Sequence, residues 1–250
     1  MRRHVFAAVV CSSLFFLGSD WCQAQLIDPR AQQVALQSLA TMQYQSQLLD
    51  GTLAHGTITQ DGETGTIVVK TKGPAVRYEV SLPSKQFVTV FSNGSAKRTQ
   101  AGKSHPLPTW VADWKRPNHL PARSRLADIN LPNTRLEFIG VESISGRPTD
   151  HLRISAVPID GTPPELLERV SEFHVFIDQA ALVVVKTISY DFCPDAMENR
   201  TPVETFYSDY RMVNGVPLSF HQTHYVGGQV QSDIVFDSIQ IGISNPASDF

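Results

Sequence analysis

The chain has 250 residues, 42% of them hydrophobic and 18% charged, with a formal net charge of −3, so it can bury a sizeable core. That weakly acidic balance argues against a surface built for nucleic acid or for an anionic membrane. With only three cysteines, it lies outside the disulfide-dense class of small exported domains.

Met1-Arg2-Arg3-His4 is basic, Val5 to Gly18 is apolar over a signal-peptide length, and Cys22-Gln23-Ala24 offers small residues at a cleavage site. Residues 1–24 are therefore expected to be a signal peptide cleaved after Ala24, sending the protein to the periplasm or outside the cell. Trp21 before Cys22 and Val10 before Cys11 are not the small residues a lipidated cysteine requires, so no lipid anchor is expected. No other segment approaches about 18 consecutive apolar residues, so no integral membrane protein is expected either. Cleavage removes two arginines and one aspartate, shifting the charge from −3 to −4. It also leaves Cys193 alone, a buried or rim thiol with no intramolecular disulfide. Residues 25–250 are expected to form a single domain, large but ordinary for a sheet-rich one.

Asp28-Pro29 reads as a helix N-cap followed by Pro at N1. Val34/Ala35, Leu39, Met42 and Leu48/Leu49 then recur every three to four residues, predicting one amphipathic helix that seeks a sheet to cover. Asp50-Gly51 is expected to end it, Gly51 adopting the left-handed conformation. From Thr52 the period changes to two. Strands are expected at 52–60, 66–72, 75–82 and 86–92, with a shorter one at 96–99, joined through Asp61-Gly62, Gly73-Pro74, Pro83-Ser84 and Asn93-Gly94. Phe87, Thr89 and Phe91 share one face of their strand, Val88 and Val90 the other.

Ala101–Asn133 breaks this pattern with five prolines, Trp110, Trp114 and several basic residues. A stretch of that length without strands suggests a lid or short helix over the sheet. Trp110 and Trp114, four apart, would lie on one helical face and are the candidate ligand-binding residues; packing of a loop against the sheet is the plainer reading. Strands resume at 135–143 and 151–156, followed by a helical turn near 165–170. Four β-rich runs between Ser171 and Ile243 then end in Asn214-Gly215 and Gly227-Gly228, strong hairpin signals. Ile234 and Phe236 share one phase while Ile239, Ile241 and Ile243 take the other, placing a β-bulge at Asp237-Ser238. About eleven strands and one long helix make the class mainly β.

There is no G-x-S-x-G, phosphate loop, H-E-x-x-H or C-x-x-C, so no catalytic residue, cofactor or metal site is nominated. His221 and His224 fall on opposite faces of one strand, and His151 and His174 could approach in space. Asp195, Glu198 and Glu204 near Cys193 read as a solvated loop, and Arg77 and Glu79, sharing one face of a strand, as partners for cross-strand pairing with neighbouring strands.

The signal peptide, long helix and interrupted meander, together with Ile177-Asp178, Leu182–Ile188 and Tyr207-Ser208-Asp209-Tyr210-Arg211-Met212-Val213-Asn214-Gly215-Val216-Pro217, resemble the LolA/LolB-like lipoprotein-sorting superfamily. That resemblance implies an unclosed antiparallel β-barrel covered by helices. It would be a carrier or sensor holding a hydrophobic ligand such as a lipid or acyl chain, and not an enzyme. The rivals are an interaction module for an envelope protein partner and, less favoured, a secreted hydrolase.

Overall fold

A computed structural model describes residues 26–42, 51–92, 94–107, 125–131, 133–157, 164–193 and 196–250. The expected signal peptide lies outside them. Helix α1 spans Pro29–Thr41. Strands β1 (Gly51–Gln60), β2 (Glu63–Lys72), β3 (Ala75–Ser81), β4 (Gln86–Ser92), β5 (Ser95–Gln100) and β6 (Lys103–Leu107) follow, then a 3₁₀ turn at Arg125–Asn130. After β7 (Thr134–Ile144) and β8 (Arg147–Ala156) comes helix α2 (Pro164–Ser171). The remaining strands are β9 (Phe173–Asp178), β10 (Val184–Cys193), β11 (Ala196–Val213), β12 (Val216–Val226) and β13 (Gln229–Ile241), and Ala247–Asp249 forms a last 3₁₀ turn.

All thirteen strands join one sheet, ordered β6-β5-β4-β3-β2-β1-β13-β12-β11-β10-β9-β8-β7, with antiparallel pairs throughout. The first strand pairs with the last, so β6 and β7 become free edges and the barrel stays unclosed. Local chemistry makes the hairpins. Asn214-Gly215 and Asp61-Gly62 hold positive φ at both positions, the type I′ geometry that matches strand twist. Ala101-Gly102 takes the same conformation, and the strand it introduces, β6, lies inside the stretch expected to lack strands. Ala101 carries no turn signal, which is why the pattern hid that hairpin.

The phase slip in the last strand is a bulge: His55 pairs Ser238 and Gly56 pairs Phe236, leaving Asp237 unpaired. Ile234, Phe236, Ile239 and Ile241 are consequently all buried. Gly51 departs from expectation. It opens β1 without a positive φ, and a Cβ there would sit 1.6 Å from the Ile243 carbonyl oxygen. Close approach of two backbones, rather than helix termination, demands glycine. Residues 43–50, where the helix was expected to continue, lie outside the described residues.

Asp28 Oδ1 accepts hydrogen bonds from the amides of Arg30 (2.8 Å) and Ala31 (3.0 Å), capping α1 as its sequence implied. The helix buries Ala31, Val34, Ala35, Ser38 and Leu39. Leu126 and Ile129 of the 3₁₀ turn, both buried, join the same core as Leu136, Leu152 and Ile154. These elements fill the β7–β9 end of the sheet's concave face. Just before α1, Leu26 and Asp28 exchange backbone hydrogen bonds with Leu136, each 2.8 Å. That short parallel bridge covers part of the β7 edge.

A candidate ligand cavity on the concave face

The other end of the same face is open. A cavity of about 310 Å³ is lined from β1–β5 on one side and β10–β13 on the other. One face of nine neighbouring strands can line a single cavity only where the sheet curves around it. The floor and one wall are apolar: Ile58, Ile67, Val80, Phe87, Phe91 and Ile234. Phe87 and Phe91 share their face with Thr89, as the alternation required. The opposing wall is more polar, with Ser189 and Asp191 on β10, Thr205 on β11 and His224 on β12 beside Val203 and Val226.

The polar groups are held neutral where they are deepest. His224 Nδ1 lies 3.0 Å from Thr205 Oγ1, and burial drives its pKa down to about 4, so the imidazole is uncharged at neutral pH. Tyr78, edge-on to Phe91 with ring centroids 6.3 Å apart, has its hydroxyl pKa raised well above the usual phenol value by burial. Arg98 sits at the exposed rim. Its Nε donates to Thr89 Oγ1 at 3.1 Å, and its guanidinium lies over the Phe87 ring at 4.7 Å.

The convex face is built differently. His151 and His174 do meet there, Nε2 to Nδ1 at 2.7 Å. Glu142 Oε1 lies 2.6 Å from His151 Nδ1, Glu172 Oε1 2.7 Å from His174 Nε2, and Arg200 donates to Glu172 at 2.8 Å. The result is a line of groups and not a convergent ligand set; among the described residues no cluster of three metal-binding side chains forms. Burial lowers the His151 pKa, with the Glu142 hydrogen bond opposing it.

The remaining candidates scatter. His221 lies on the convex side, 2.9 Å from Asp233 Oδ1, separated from His224 as strand alternation required. Lys70 reaches across from β2 to Glu79 at 3.2 Å, the cross-strand pairing expected, and Arg77 holds the same carboxylate from within β3 at 2.8 Å. Glu204 pairs with Lys186 at 2.5 Å. Much of the loop expected around Cys193 is strand instead, since β10 runs to Cys193, β11 starts at Ala196 and the two residues pair; strand pairing overrode the polar composition. Asp195 and the side chains of Cys193 and Glu198 lie outside the described residues, as do Trp110 and Trp114. Arg98 carries no local sequence signal; only the pairing of β5 with β4 places it at this rim.

Together the open sheet, the helix packed in one end and the cavity in the other define a half-barrel with an open concave cavity. No protein-family model matches the sequence, and no curated protein matches it. Solved structures do. A LolA superfamily protein from Nitrosomonas europaea aligns with a TM-score of 0.53 at 10% identity, covering 88% of this chain and 96% of that one. An outer membrane lipoprotein-sorting protein domain from Vibrio parahaemolyticus gives 0.53 at 10% identity, over 88% and 95%. A DUF1329 family protein from Desulfovibrio piger gives 0.52 at 12% identity, over 87% and 95%. At such identities the likeness is one of fold, and this chain has the LolA-superfamily fold. No helix among the described residues is long and apolar enough to cross a membrane.

Proposed function

We propose that the protein is an exported, periplasmic carrier or sensor, not an enzyme, that holds a hydrophobic ligand such as a lipid or an acyl chain in the concave cavity. The observation that carries this reading is the cavity itself: an apolar floor kept open although α1 fills the other end of the same face. Each buried methylene contributes about 0.8 kcal/mol, so part of one acyl chain supplies useful affinity against the cost of immobilising it. Lipoprotein sorting is the role named for the Vibrio domain; its fold supports a carrier here by analogy.

Trp110 and Trp114 are proposed to close over the bound chain as a lid. Delipidated protein should take up a fluorescent fatty-acid analogue, and Trp110→Ala or Trp114→Ala should weaken uptake several-fold. Folded protein that takes up none would sink the carrier reading.

The rival, partner binding by strand addition, is weakened at both edges. β6 carries Lys103 and Pro106, and β7 is covered at Leu136 and bulged at Ile139. Natural sheets use each of these devices to block a further strand.

A further inference from the structure

One row of directly opposed residues crosses the apolar half of the sheet: Ala54 pairs Val69, Val69 pairs Tyr78, Tyr78 pairs Thr89, Thr89 pairs Arg98 and Arg98 pairs His105. Side chains directly opposite on neighbouring strands share a face. The row therefore runs from buried Ala54 and Val69, through Thr89, to exposed Arg98 and His105. It is a polarity gradient from the buried core beside the cavity, through Tyr78 and Thr89 of the cavity wall, to a cation at the cavity's rim.

Arg98 also stands apart electrostatically. Arg77, Arg135, Arg147, Arg153, Arg200 and Arg211, the other arginines on strands, each lie within 3.2 Å of a carboxylate oxygen. Among the described residues no carboxylate pairs with Arg98. Thr89 fixes its Nε and the Phe87 ring lies under its plane, so the outer edge of the guanidinium, with its paired N–H donors, is left for a partner. That edge matches the two oxygens of a carboxylate or phosphate.

We infer that the ligand is an anionic amphiphile, its tail along the apolar floor and its carboxylate or phosphate head bound by Arg98 at the mouth, with His105 beside it. This assignment rests on the carrier reading and adds the headgroup and its orientation.

The test compares lauric acid with dodecanol, equal in chain length, on wild-type protein, Arg98→Gln and Arg98→Lys. Wild type should bind the acid about tenfold more tightly, the worth of one charge-assisted hydrogen-bonded contact, with the preference shrinking in high salt. Arg98→Gln should bring the acid down to the alcohol's affinity while leaving the alcohol unchanged, and Arg98→Lys should fall between. Dodecyl phosphate in place of laurate decides which head is preferred, either preference being supportive if Arg98→Gln abolishes it. Equal binding of acid and alcohol by wild type, or an acid affinity that Arg98→Gln leaves intact, overturns the headgroup assignment alone. Failure of both compounds to bind folded protein overturns the carrier reading and this assignment together.

Discussion

The two faces of this sheet surround the same residue type differently. On the concave face His224 has one hydroxyl for company and an apolar cavity beside it, and burial keeps it neutral. On the convex face His151 and His174 lie between two glutamates in a continuous line of hydrogen bonds. The difference teaches what each face is for. A surface proposed to receive an apolar chain cannot hold unpaired charge deep inside, because desolvating it would cost more than the ligand returns. A surface facing solvent can use charge to tie distant segments, here β7, β8, β9 and β11, into one back wall.

Three measurements would break or sharpen that contrast. The largest effect should come from the concave core: Phe236, 1% exposed, should destabilise the fold by about 3–5 kcal/mol when changed to Ala, read from denaturant unfolding. A much smaller loss would mean that the concave face is not the main source of stability.

Next comes acid. The unfolded chain protonates His224 near its ordinary value of 6.5, while the folded protein resists until about 4. The folded pKa is the lower one, so this stability is complete above pH 6.5 and is lost as pH falls towards 4. The loss is on the order of 3 kcal/mol, and His224→Gln should remove that limb from a stability–pH curve. The convex face should respond lower down. Burial alone would raise the Glu172 carboxyl, but hydrogen bonds from Arg200 and His174 hold it below its usual 4.5. Its contribution is present above 4.5 and disappears only under stronger acid. A single shared acid limb in wild type and His224→Gln would erase the distinction between the faces.

The smallest effect belongs to the convex line itself. His174→Ala leaves His151 and Glu172 each short of a partner and should cost about 1–3 kcal/mol, without changing uptake of a fatty-acid analogue. A loss of uptake would show that the two faces are coupled.

Much of the scaffold was written locally. The Asp28 cap, the Asn214-Gly215 turn and the phase slip at Asp237 depend on neighbours a few residues apart, and all three appear in the structure. β6 stayed hidden because its turn begins with Ala101 and its strand is charged and holds a proline. Gly51 was misread because a glycine after a helical pattern looks the same whether it ends the helix or admits a crossing backbone.

By itself, then, the sequence determined that the chain forms an antiparallel, bulged sheet with a capped amphipathic helix, since caps, I′ turns and a period of two act within a few residues. Only the tertiary structure decided that β1 closes against β13, that α1 fills one end of the concave face and leaves the other open, and that Arg98 stands in one row with Ala54. A strand's period tells which side chains share a face. It does not tell which face curves inward or which residue, dozens of positions away, will stand opposite.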